Sequence, residues 1–278
     1  MIAYRISRSE LHKRIAESIP GWQRRAQSRT QLLVRTGTFR PLKVEFWNRL
    51  KPLLLDIQHH KCGYCERLLY GGNHECDVDH YRPKGRVTPW PELPDVDSAI
   101  GDDFVGYHAL AYMPENYVVS CKTCNSKFKE SYFPIASRRA ASDHNPSALA
   151  AELPYLLCPV GEDDPDDPQH LINFIGPAPV ESHTEGHRFR RAHITIKLLA
   201  LDRDELIYAR CRLIADLYVA HLAANSGDPV GEQTRTQKVS ATSEFASCAQ
   251  CFDAICRSDM SQAREIAMRA VTQLRTRK

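Results

Sequence analysis

The 278-residue chain predicts an α+β protein, mainly helical, built around a small strand–strand–helix unit that a four-cysteine zinc site closes. Three observations predict it. Two Cys-x-x-Cys pairs, Cys62/Cys65 and Cys121/Cys124, stand 55 residues apart. Residues 68–70 and 75–80, separated by Gly71-Gly72-Asn73, read as a hairpin. On either side of this region, apolar residues recur at helical spacing. The organisation is threefold: a basic helical segment over 1–52, a core over 53–135, and a mostly helical region over 136–278.

The cysteine pairs carry the metal signal. Thiolates two residues apart clamp one face of a tetrahedral ion, and a second pair closes the other at about 2.3 Å. Cys62, Cys65, Cys121 and Cys124 are therefore the expected structural zinc ligands; four buried thiols are the plain alternative. The intervening chain is too long for a minimal ribbon, so something is built inside the closed loop.

Asp79-His80 stands inside that loop. At a strand end, such a pair divides the work: the carboxylate holds a divalent cation and the imidazole takes a proton from water. Asn125 follows the last cysteine, opens an expected short helix over 125–130, and offers an amide oxygen as a second ligand. Oxygen donors favour Mg²⁺ or Mn²⁺ over zinc. Asn116 is placed to hydrogen-bond either His80 or the backbone of its loop. Arg82, Lys84, Lys127 and Lys129 flank these positions and are candidates to contact phosphate; simple solvation is the alternative.

These residues resemble the HNH endonucleases, which have a ββα-metal core and a four-cysteine zinc. The matching elements are Cys62/Cys65, Asp79-His80, Asn116 and Cys121/Cys124-Asn125. The resemblance implies His80 as general base, Asp79 and Asn125 as catalytic metal ligands, and Asn116 as the orienting residue. The last motif position is Asn125, not the His that names the family, and members with Asn there tend to use Mg²⁺. The wider pattern resembles HNH proteins of bacterial anti-phage modules, the Septu PtuB type also found with retrons. It rests on Cys62-Gly-Tyr-Cys-Glu66, His80-Tyr-Arg-Pro-Lys84, Gly106-Tyr-His-Ala-Leu-Ala-Tyr112 and Cys124-Asn-Ser-Lys-Phe-Lys with Phe133-Pro134. More weakly it continues through 152–157, 163–171 and 199–203. The implied protein is a nuclease effector acting on nucleic acid, DNA favoured over RNA, with an ATPase partner. The competing reading is a non-catalytic zinc module that scaffolds a partner or binds nucleic acid without cutting it.

Composition narrows the setting. No leader pattern and no apolar run near 18 residues is present, so the expectation is a cytoplasmic protein that neither spans nor contacts a membrane. Ten cysteines suit a reducing compartment better than a disulfide framework. The net charge of +3 hides an uneven distribution. Residues 1–52 carry 12 Lys/Arg against three acids, an electrostatic footprint for a phosphate backbone. Arg24 and Arg25, with Arg29 and Arg35, are the candidates. A solvated helix face, or docking on an acidic protein, would leave the same composition.

Taken in order, Ser9 is expected to cap a helix over 10–18 that Pro20-Gly21 stops. A second helix runs over 22–34, and a longer one over 44–60, with Phe46, Trp47, Leu50, Leu54 and Ile57 as its apolar stripe. His59 and His60 read as a fraying helix end, and Cys76 as a small buried residue. The Pro-rich stretch 85–106 reads as an irregular insertion, and 107–112 as core beneath the site. Asp163 to Asp167 lacks the spacing and glycine of a calcium loop and reads as an acidic turn. A strand is expected over 172–174 and a short helix over 192–199. Asp202 with Glu205 predicts a capping box before a helix to about 224. Residues 226–243 read as a linker, 245–275 as a helical tail, and Cys248-Ala-Gln-Cys251 as core packing.

Overall fold

A computed structural model describes residues 1–69, 75–91, 104–139 and 146–276. The turn at 71–73 and most of the Pro-rich insertion fall outside the described residues. The chain divides into two compact units: Ala3–Gly63 with Leu69–Asp166, and Met1–Ile2 with Tyr64–Leu68 and Asp167–Lys278.

The first unit opens with helix α1 (Arg8–Ser18). Its cap is Ser7, not Ser9: the Ser7 hydroxyl accepts from the Glu10 N–H at 3.2 Å, which satisfies one of the helix's orphan donors. Helix α2 (Trp22–Thr36) ends at Gly37 and buries Trp22, Ala26 and Leu33. The Trp22 indole N–H donates to the Phe46 carbonyl at 3.2 Å. The long helix expected over 44–60 is shorter and broken. A 3₁₀ turn, Trp47–Leu50, leads into helix α3 (Lys51–Ile57). Pro52 sits in the first turn of α3, where its missing N–H costs nothing but the helix cannot run through it. The apolar stripe survives the change, since Phe46, Trp47, Leu50, Leu54 and Ile57 are all buried.

The strand pairing differs from the expected local hairpin. Strand β1 (Cys76–His80) pairs antiparallel with β2 (Tyr117–Cys121), setting Cys76 opposite Cys121 and His80 opposite Tyr117. Leu69 instead gives its N–H to the His60 carbonyl at 2.8 Å. Every residue of β2 is buried, so the run Tyr-Val-Val-Ser-Cys makes a better partner than the short segment before the turn. The helix expected after β2 is a π-helix, Thr123–Lys129, closed by the Glu130 N–H on the Asn125 carbonyl at 2.7 Å. A short helix α4 (Pro146–Ala151) follows.

The second unit begins with α5 (Pro168–Leu171), capped by Asp167. Strands β3 (Ile172–Ile175) and β4 (Ala178–Glu181) form a hairpin, and α6 (Gly186–Leu198) is longer than expected. Helix α7 (Asp204–Asn225) has no capping box. Asp202 pairs with Lys197 and Glu205 with Arg203, both at 2.7 Å. The expected linker is largely helix α8 (Pro229–Val239), capped by Asp228 with Pro229 in its first turn. Gly231 permits its approach to α7, because a Cβ there would lie 2.6 Å from the Ala224 nitrogen. The tail is two helices, α9 (Ala246–Ser258) and α10 (Met260–Arg275). Asp259 breaks them in an extended conformation and caps the second through the Gln262 N–H at 3.0 Å. Of the expected core pair, Cys248 is buried in α9 and burial pushes its thiol up to about 12, whereas Cys251 is half-buried and donates to Asn173 Oδ1 at 3.0 Å.

Within this helical unit His221 (α7) meets Asp253 (α9) at 2.8 Å, with Arg257 on the other carboxylate oxygen at 2.7 Å and Arg235 (α8) at 3.9 Å. Burial holds His221 below the usual histidine value although Asp253 pulls the other way. The unfolded chain therefore takes up this proton first, and the contribution to stability is lost as pH falls below about 6.5. We expect the melting temperature to drop between pH 7 and 5.5, and His221→Gln to flatten part of that slope in a pH series of thermal melts.

Candidate functional site

The four knuckle cysteines are buried, with their sulfur atoms within 4.8 Å of one another. Tetrahedral zinc with Zn–S bonds of about 2.3 Å needs sulfurs roughly 3.8 Å apart, so the cluster fits a zinc ion. Backbone N–H groups already point at sulfur: Cys121 donates to Cys62 Sγ at 3.3 Å and Cys124 to Cys121 Sγ at 3.4 Å. Gln58, fully buried at the end of α3, ties the first knuckle to β2. Its Nε2 donates to the Val119 and Lys61 carbonyls at 2.7 and 3.0 Å, and its Oε1 accepts from the Val119 N–H at 2.8 Å. Gly63 lets the first knuckle approach β2, because a Cβ there would stand 2.5 Å from Val118 Cγ1.

At the far end of β1, His80 is 4% exposed. Its Nε2 lies 3.0 Å from the Ala111 carbonyl. A carbonyl only accepts, so Nε2 carries the proton and Nδ1 is the basic nitrogen of the neutral ring. Lys84 Nζ stands 3.4 Å from Nδ1. Burial chiefly, and then Lys84, hold the imidazole well below its ordinary value. Trp47 and Tyr117 clamp the ring edge-on at 4.8 and 5.1 Å between centroids. Asn116 holds the backbone after His80, the second of its two expected roles. Its Oδ1 accepts from the Arg82 N–H at 2.8 Å and its Nδ2 donates to the Arg82 carbonyl at 2.9 Å.

Two residues expected to face phosphate turn inward instead. The Arg82 guanidinium forms a buried ion pair with Glu152, donates to the Leu149 carbonyl at 2.8 Å, and lies over Phe133 at 4.9 Å. Glu152 also accepts from the Tyr107 hydroxyl at 3.0 Å. Lys129 is 0% exposed, and its Nζ reaches Asp79 Oδ2 at 3.2 Å and the His80 carbonyl at 2.9 Å. Both cations have left water, where a paired carboxylate inside is the compensation. Asp79 is buried beside His80. Asn125 is half-buried at the start of the π-helical turn that returns Lys129 to Asp79.

The remaining candidates face outward. Arg24, Arg25 and Lys127 are exposed. Arg25 lies over the Phe46 ring at 4.7 Å, and Lys84 over Trp47 at 5.1 Å. Phe46 stacks on Tyr112 at 4.7 Å, and Tyr112 meets Trp47 at 5.3 Å. An aromatic layer thus joins part of the basic segment to the His80 ring. Sequence reasoning missed Trp47, Glu152 and the Ala111 carbonyl as parts of the site; Glu152 and Ala111 stood in the quoted motif stretches without an assigned contact.

The chain is similar to the Septu protein PtuB of Bacillus mycoides (strain KBAB4), 31% identical over 170 residues. The alignment covers 60% of this chain and 52% of that protein, so the chain spans about half the length of the curated relative it matches. No family model and no solved structure matches. Among the described residues, no helix is long and apolar enough to cross a membrane.

Two outcomes follow. Glu152→Ala leaves Arg82 buried and unpaired, and we expect a loss of about 3–5 kcal/mol in urea denaturation. Cys62→Ser should lose zinc and solubility together, read by metal analysis and by the soluble fraction on expression.

Proposed function

We propose that this chain is a divalent-metal-dependent HNH-type endonuclease that hydrolyses phosphodiester bonds in DNA. The observation that carries the reading is the His80 ring. Its Nε2 is tied to a backbone carbonyl, which leaves Nδ1 as the unprotonated nitrogen, 3.4 Å from Lys84 Nζ, and a carboxylate, Asp79, comes immediately before it in the chain. That arrangement suits a general base. His80 Nδ1 takes the proton of the attacking water as the water oxygen bonds to phosphorus and the bond to the 3′-oxygen breaks. The resemblance implies 5′-phosphate and 3′-hydroxyl ends.

Asp79 and Asn125 offer the hard oxygen donors that Mg²⁺ or Mn²⁺ prefers, and Asp79 already supports a cation, the Lys129 ammonium. When bound there, the metal would polarise the phosphate and offset charge on the leaving oxygen. Asn116 keeps the His80 loop in place through Arg82's backbone. Lys84, half-buried beside Nδ1, supplies positive charge where a phosphate would approach, and Arg24, Arg25 and Lys127 extend it for the flanking backbone. The zinc site is structural. Similarity to a Septu protein supports a role in anti-phage defence; an ATPase partner that gates cutting is what the family resemblance implies.

Supercoiled plasmid with Mg²⁺ or Mn²⁺ tests the reading. Wild type should nick or linearise it, and His80→Ala should abolish cutting while leaving fold and zinc intact. An undiminished rate in His80→Ala removes the base assignment. Zinc without any Mg²⁺-dependent cutting, with the ATPase partner supplied, favours the inert zinc module.

A further inference from the structure

The reading above gives Lys129 no step in the reaction, yet its ammonium rests directly on the Asp79 carboxylate. Its ammonium donates to Asp79 Oδ1 at 3.3 Å and to the His80 carbonyl at 2.9 Å, with Asp79 Oδ2 at 3.2 Å. The side chain is fully buried, so water does not compete for it. Its position is set by the π-helical turn Thr123–Lys129, whose closing bond runs from the Glu130 N–H to the Asn125 carbonyl. One short turn thus carries an expected metal ligand near one end and a fixed cation at the other. π-Helical turns, rare elsewhere, recur at functional sites.

We propose that Lys129 is an internal counter-cation for Asp79 that competes with the divalent ion and so sets how tightly this site binds metal. The proposal rests on the metal reading of Asp79. Both cations draw on one carboxylate, and each raises the electrostatic cost of the other. In the metal-free protein the ammonium holds the buried carboxylate in a fixed orientation. A charge at this range shifts the affinity of a carboxylate for a proton by about ten- to a thousand-fold, and the same field acts on a metal ion. Lys129 is a positioning residue in this account, since it touches Asp79 and not the substrate.

Mn²⁺ binding to the zinc-loaded full chain tests it, followed by titration calorimetry or the resonance signal of free Mn²⁺. Lys129→Met should bind Mn²⁺ about tenfold or more tightly than wild type, Lys129→Arg should stay close to wild type, and Asp79→Asn should abolish binding. Lys129→Gln, which keeps hydrogen-bond donors toward Asp79, carries the test if the methionine variant does not fold. Neutral variants that bind no tighter than wild type, while Asp79→Asn still abolishes binding, overturn the role of Lys129 alone. Absence of Asp79-dependent Mn²⁺ binding in wild type and the neutral variants removes the metal reading, and this proposal with it.

Discussion

The pairing of β1 with β2 is the constraint on which the site depends. Its register sets Cys76 against Cys121 at one end and His80 against Tyr117 at the other. The same five-residue ladder therefore delivers β2 to the cysteine cluster and delivers His80 to its aromatic clamp. Gln58 extends this control, because its amide bonds both polar groups of Val119 and one carbonyl of the first knuckle. A zinc ion across the four sulfurs would close a loop of more than fifty residues. Such closure removes freedom mainly from the unfolded chain, where long loops are most costly to bring together.

Around that ladder, buried charge is handled in pairs. Arg82 takes Glu152, Lys129 takes Asp79, and each cation also bonds a backbone carbonyl. An unpaired charge in this interior would cost several kcal/mol, so these contacts specify the packing closely. They also separate the basic residues into two groups. Those next to the site in sequence are partly consumed internally, while Lys84, Lys127 and the α2 arginines retain their contact with solvent. The aromatic layer of Phe46, Tyr112 and Trp47 connects the two regions by packing alone.

The four-cysteine cluster was legible because two thiol pairs at fixed spacing admit few other uses. The gathering of Asp79, His80 and Asn116 at one end of the strand pair was legible through their order around those pairs, and the apolar stripe before the first knuckle through its periodicity. The strand partner was not, since a Gly-rich turn advertises a local hairpin and nothing in a linear pattern weighs it against a fully buried strand some forty residues away. Arg82 and Lys129 misled for a related reason. A cation beside a reactive pair reads as a phosphate contact until its buried carboxylate is known, and Glu152 stands seventy positions from Arg82. The helix over 229–239 was hidden by polar composition, although Asp228-Pro229 carried its start signal.

By itself the sequence determined the residue types and their order: four thiols in two pairs, an acid and an imidazole side by side, an amide after the last cysteine, and a basic leading segment. These follow from side-chain chemistry and spacing, which survive any fold. Only the tertiary structure decided which nitrogen of His80 carries the proton, which cations keep contact with solvent, and that a lysine rests on Asp79. Those properties depend on burial and on partners far away in the chain, and both come into being only when β1 and β2 meet.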